Sequence, residues 1–155
     1  MPGVVVGVDG SGHSRRALEW AMREARQRGV PLEVVTVHPP PVRPATGIYW
    51  GLPTLPENSF DPELARMAVA QFVDEVAKET GETGLEVTVS VLAGDAAEEL
   101  VNASRDADML VVGSRGSGGF ARLLMGSVSS QVTQHADCPV VVVPPARQAS
   151  AADRR

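Results

Sequence analysis

Glycine concentrates at two places where a strand-forming run has just ended. Asp9 closes the run Val4–Val8 and is followed by Gly10, Ser11 and Gly12. Gly113 closes Met109–Val112 and is followed by Ser114, Arg115 and Gly116; ten residues beyond Gly116 come Gly126 and Ser127. Glycines in such bends let the chain turn sharply and let main-chain N–H groups approach an anion with no Cβ in the way. A helix opening at Ser127 adds unsatisfied amides and the positive end of its dipole. The hydroxyls of Ser127 and Ser129 are expected to add donors, and Arg115 or Arg122 to add charge. The chemistry indicated is the holding of phosphate.

Other phosphate and metal chemistries fail on counts and spacing. A P-loop needs Lys after its glycines, and the only lysine, Lys78, stands far from them among thirteen arginines. Gly10-x-Gly12-x-x-Arg15 lacks the third glycine of a dinucleotide fingerprint. Gly116 to Ala121 matches G-x-G-x-x-A, but no acidic residue ends the following strand to hold a ribose; Asp137 precedes that strand. His13, His38 and His135 are scattered and never at metal-ligand spacing. The single cysteine, Cys138, excludes an internal disulfide and a cysteine-based zinc site, and fits a reducing cytoplasm. It reads as a packed thiol, His135 as a helix C-terminal residue, and His13 as a solvated loop residue. With 14 basic and 19 acidic residues mixed along the chain, the net charge of −5 gives no nucleic-acid footprint. No apolar run approaches the roughly 20 residues of a membrane span, and the first residues carry no basic-then-apolar secretory pattern. The expected location is the cytoplasm, with no membrane partner.

The elements that must position these residues follow from periodicity. Val4–Val8, Leu32–Val37, Met109–Val112 and Val140–Val143 are continuous apolar runs, as in parallel strands buried on both faces. Leu85–Val91 alternates with period two, which predicts a half-covered strand near a sheet edge. Ser14 is read as the N-cap of a helix to about Arg28, with Leu18, Ala21, Met22 and Ala25 inward and Gly29 as its stop. From Phe60 to Thr80, Leu64, Ala68, Phe72 and Val76 recur every four residues, with Ala65, Met67, Val69 and Val73 beside them, as in an amphipathic helix. Asp95 is placed to cap a helix through Ala103, and Gly126-Ser127 opens one to about His135 with Val128 and Val132 buried. Residues 120–124 form a helical turn at most. Seven prolines from Pro39 to Pro62 predict an excursion without regular structure, either a plain linker or a partner-contacting loop. The result is one α/β domain over 1–145, an open parallel sheet with helices on both faces, and a frayed tail over 146–155. Ligands of such sheets bind beyond the strands' carboxyl ends, where strand order reverses.

Val4 to Ser11, then Val112-Gly113-Ser114-Arg115-Gly116, nine residues, Gly126-Ser127-Val128, and finally His135 to Val140, resemble the universal stress protein family. The spacing Gly-x2-Gly-x9-Gly-Ser resembles its ATP-binding branch. The resemblance implies a five-stranded Rossmann-like sheet in order 3-2-1-4-5. It implies that Asp9 faces the ribose or the metal–phosphate region, and that the main chain of Val37 reads the adenine edge. Gly113, Gly116, Gly126 and Ser127 would wrap ribose and phosphates, with Val112 and Val128 packed nearby. ATP with Mg2+ or Mn2+ is the implied ligand. The implied function is a stress-response regulator whose nucleotide occupancy alters its contacts with a protein partner. A slow ATP hydrolase, and a binder of AMP or a cyclic nucleotide, stay open as alternatives. Four consecutive valines on an edge strand invite aggregation unless covered, so Val140–Val143 is expected to pair with a second copy in a homodimer.

Overall fold

The computed structural model describes residues 3–39, 48–49, 52–53, 60–115 and 125–146. In chain order the elements are β1 (Val4–Gly7), α1 (Gly12–Arg28), β2 (Leu32–His38), β3 (Ile48–Tyr49), β4 (Leu52–Pro53), α2 (Pro62–Thr80), β5 (Val87–Ala93), α3 (Ala96–Ser104), β6 (Met109–Gly113), α4 (Ser127–His135) and β7 (Val140–Val143).

Five of the strands form one sheet in the order β5-β2-β1-β6-β7, every pair parallel. Numbered within the sheet this is 3-2-1-4-5, the expected order. The chain winds outward from β1 through β2 to β5, then returns to β6 on the other side of β1. The reversal therefore falls between β1 and β6, paired from Val4↔Met109 to Val6↔Val111. The alternating run is the edge strand β5, and the valine run is the opposite edge, β7.

Strand pleating sends successive side chains to opposite faces, and both faces are buried. On one side Val4, Val6, Val34 and Val111 pack with Leu18 and Met22 of α1 and Val69 and Val76 of α2. On the other, Val5, Val35, Leu110 and Val112 pack with Leu100 of α3 and Val132 of α4. That double burial is why β1 and β6 read as unbroken apolar runs.

Helix ends follow the capping residues, with one correction. The N-cap of α1 is Ser11, not Ser14: the Ser11 hydroxyl accepts from the Ser14 amide at 3.2 Å, and the buried Ser14 hydroxyl donates back to the Ser11 carbonyl at 3.0 Å. The helix thus begins one turn earlier than a cap at Ser14 implies. Gly29 stops it in the left-handed region, at φ 65°, where a residue with a side chain is strained. Asp95 caps α3 through the Glu98 amide, as expected, and Asp61 caps α2.

Two further expectations change. The buried stripe of α2 is Ala65, Val69, Val73 and Val76, while Leu64 and Met67 are 55% and 57% exposed. Within the proline-rich excursion, β3 and β4 pair antiparallel, Ile48↔Pro53 and Tyr49↔Leu52, so regular structure does form there. A two-stranded ribbon consists of edges only, and an edge tolerates a residue without an N–H. Among the described residues no helix is long and apolar enough to cross a membrane.

Candidate functional site

The two glycine-bearing bends meet at the carboxyl ends of β1 and β6. After β1, the Asp9 carboxylate accepts the Ser11 amide through Oδ1 at 2.9 Å, an Asx turn that sets the chain into α1. The opening turn of α1 is thus occupied by its own side chains: Asp9 on Ser11, Ser11 on Ser14.

After β6 the arrangement is different. Gly113 packs main chain to main chain against α1, and a Cβ built on it would lie 3.0 Å from the His13 carbonyl oxygen. The Ser114 amide donates to Val143 of β7 at 2.9 Å. The Ser114 carbonyl accepts two bonds, from the Gly126 amide at 2.6 Å and from the buried Ser129 hydroxyl at 3.0 Å. One peptide therefore ties the β6 bend to the start of α4 across twelve residues of chain.

The start of α4 is the open helix terminus of the site. Its N-cap, Gly126, has no side chain to bond the following amides, whereas Ser11, Asp61 and Asp95 each supply an oxygen to their own helices. Ser127, the first residue of α4, is exposed. Amides of an uncapped first turn, with the helix dipole behind them, suit an anion. Two buried polar atoms beside this bend, Ser114 Oγ and Arg115 Nε, have no hydrogen-bond partner among the described residues.

Asp9, Gly113, Arg115, Gly126 and Ser127 are thus gathered around the β1–β6 switch point. Val37 stands one strand away on β2, beyond the last β1–β2 pair, Gly7↔Val35, and in register with Leu92 of β5. Val112 is buried in the α3–α4 side of the core, and Val128, expected to be buried, packs on it only partly buried. Gly116 and Arg122 lie outside the described residues. Ser129 is corrected: its hydroxyl is spent on the Ser114 and Gly126 carbonyls and positions the bend, leaving none of its donor capacity for a ligand. Ser114 was not singled out from sequence, because its role rests on three bonds to residues 12 to 29 positions away.

Among the described residues no group of three or more His, Cys, Asp or Glu could hold a metal ion. Cys138 packs partly buried near α3, and burial is the main cause raising its pKa, which keeps the thiol protonated. His135 is exposed at the last position of α4.

Comparison with known proteins agrees with this fold. The profile of the universal stress protein family matches residues 2–144. A universal stress protein of Mycobacterium tuberculosis strain H37Rv is 40% identical over 154 residues, covering 92% of this chain and 48% of that protein. One from Mycolicibacterium smegmatis is 40% identical over 144 residues, covering 91% and 47%. The chain therefore spans about half the length of these relatives. Among solved structures, a universal stress protein in complex with cAMP is 26% identical with a TM-score of 0.64, over 92% of this chain and 95% of that one. The universal stress protein of Archaeoglobus fulgidus in complex with dAMP shares the fold, at 24% identity and a TM-score of 0.60, over 92% and 98%. With the profile matching almost end to end and relatives 40% identical across the same stretch, the chain belongs to the universal stress protein family.

Proposed function

We propose that this chain binds an adenine nucleotide, ATP accompanied by Mg2+, at the carboxyl ends of β1, β2 and β6, and acts as a cytoplasmic regulator whose occupancy alters its contacts with a protein partner. The observation that carries this reading is the bond from the Gly126 amide to the Ser114 carbonyl. It brings the uncapped start of α4 against the β6 bend, so that main-chain amides, Arg115 and the Ser127 hydroxyl converge beside one switch point. The phosphates sit on the α4 amides, the ribose lies towards Asp9, and the base lies towards Val37. Mg2+ neutralises clustered phosphate charge when bound. The 26% identical neighbour that holds cAMP supports a nucleotide as the ligand class.

That same neighbour favours a second reading, in which a cyclic or monophosphate nucleotide is the resident ligand. Denaturing the purified protein and identifying the released nucleotide by chromatography separates the two. ATP in the supernatant supports the first reading, AMP or a cyclic nucleotide the second. No nucleotide, together with no shift in melting temperature on adding ATP·Mg2+ or cAMP, removes both.

The β7 edge supports self-association. Four valines between Pro139 and Pro144 form an uncharged edge strand, and a twofold mate covers both copies at once.

A further inference from the structure

At the carboxyl end of β2 stands an aromatic pair that neither the core nor the cradle accounts for. His38 and Phe60 are stacked, ring centroids 3.6 Å apart and planes 8° from parallel. His38 is the last residue of β2. Its position is fixed by register with Ala93 and by its carbonyl, which accepts the Gly94 amide at 2.9 Å. Phe60 immediately precedes Asp61, the N-cap of α2, and remains 39% exposed. The two rings come from the ends of separate, well-anchored elements and lie face to face, so each covers one face of the other and the exposed Phe60 ring is reachable from solvent with His38 behind it.

Its placement matches the far end of the nucleotide. β2 is separated from β6 by β1 alone, and two strand intervals of ~4.8 Å put the ends of β2 and β6 about 10 Å apart. A ribose and its phosphates bridge that span. A ligand anchored by phosphate at Ser127 therefore carries its base to the end of β2, where Val37 and His38 are consecutive.

We propose that the His38–Phe60 pair is the stacking platform for the purine ring of the nucleotide held at the Gly126–Ser127 cradle. This rests on the nucleotide-binding reading and adds the residues that grip the base. A π-face accepts any flat base, and a larger ring system covers more of it, so the platform favours purines over pyrimidines and leaves finer discrimination to the polar groups around it.

The test measures ATP·Mg2+ and inorganic tripolyphosphate binding to wild type, Phe60→Leu and Phe60→Tyr by calorimetry, and follows the adenine H2 and H8 resonances by NMR. Phe60→Leu is expected to weaken ATP about tenfold and leave tripolyphosphate unchanged, because only the base contact is lost. Phe60→Tyr is expected to bind ATP as wild type does. The adenine protons are expected to shift upfield in wild type and to lose most of that shift in Phe60→Leu, a ring-current signature that a merely structural role for Phe60 does not produce. Unchanged ATP affinity in Phe60→Leu, an equal loss for both ligands, or adenine protons that do not shift overturns the platform. Failure of wild type to bind either ligand instead overturns the cradle itself.

Discussion

A Cβ on Gly113 would stand 3.0 Å from the carbonyl oxygen of His13, with the carbonyl oxygen of Arg115 at 3.3 Å. Both neighbours are main chain, so neither can swing aside. A side chain here therefore fits only if α1 or the bend gives by a few tenths of an ångström, before any ligand arrives. Gly113→Ala is expected to lower the stability of the nucleotide-free protein by about 1–3 kcal/mol, the usual cost of overpacking. Chemical denaturation without nucleotide checks it; an unchanged midpoint would mean that α1 is not seated on this bend.

Ser127→Asp separates folding from binding. A carboxylate in the exposed first turn of α4 interacts well with the helix dipole and should stabilise the protein by about 0.3–1 kcal/mol. The same charge repels phosphate and should weaken ATP about tenfold or more. A thermal melt paired with a binding isotherm reads both. Retained affinity in the aspartate variant would place the phosphates elsewhere.

Ser129→Ala removes the hydroxyl that donates to the Ser114 and Gly126 carbonyls, at 3.0 and 3.1 Å. Loss of that buried bonding should cost about 0.5–1.5 kcal/mol of stability. Nucleotide affinity should fall several-fold because the two bends are held together less firmly. Denaturation and calorimetry on the one variant report both effects, and no change in either would show that the Ser129 hydroxyl is not a clamp.

Burial lowers the pKa of His38 from 6.5, so the folded protein takes up its proton less readily than the unfolded chain. Its contribution to stability is unaffected above the unfolded value and decreases as pH falls below about 6.5 towards the folded pKa. Stability should therefore decline between pH 7 and 5 more steeply in wild type than in His38→Phe, which keeps an aromatic partner for Phe60 but cannot titrate. Parallel pH profiles of the denaturation midpoint would contradict this.

What the sequence revealed and what it hid divide along physical lines. The strand and helix runs, the glycine bends, the Asp95 cap and the Gly29 stop were legible because each depends on residues within a few positions of one another, whereas the strand order came from the resemblance to the universal stress protein family. The cap of α1 was misplaced because Ser11 and Ser14 are both good capping residues, and only backbone geometry shows that Ser11 is the cap and Ser14 its bonded partner. Along α2 the apolar residues outnumber the positions that meet the sheet, so periodicity could not tell the buried Ala65–Val69–Val73 row from exposed Leu64 and Met67. In the cradle, Gly126 and Ser127 stood out by type. Ser129 was legible as a hydroxyl near the helix start but not as a clamp, and Ser114 not at all, because their importance lies in contacts made only when β6, α4 and β7 come together. The His38–Phe60 stack joins residues 22 positions apart across the proline-rich excursion, and no local pattern encodes that closure.

In the proposed function the main-chain amides opening α4 receive the phosphates of an adenine nucleotide. Titrating isotopically labelled protein with ATP·Mg2+ and following every backbone amide tests it most directly. Saturable binding of one nucleotide per chain is expected, with the largest amide shifts at Ser127 and Val128 and smaller ones at Ser114 and Arg115. Saturation that leaves the Ser127 and Val128 amides unmoved, or the absence of any binding, would contradict it.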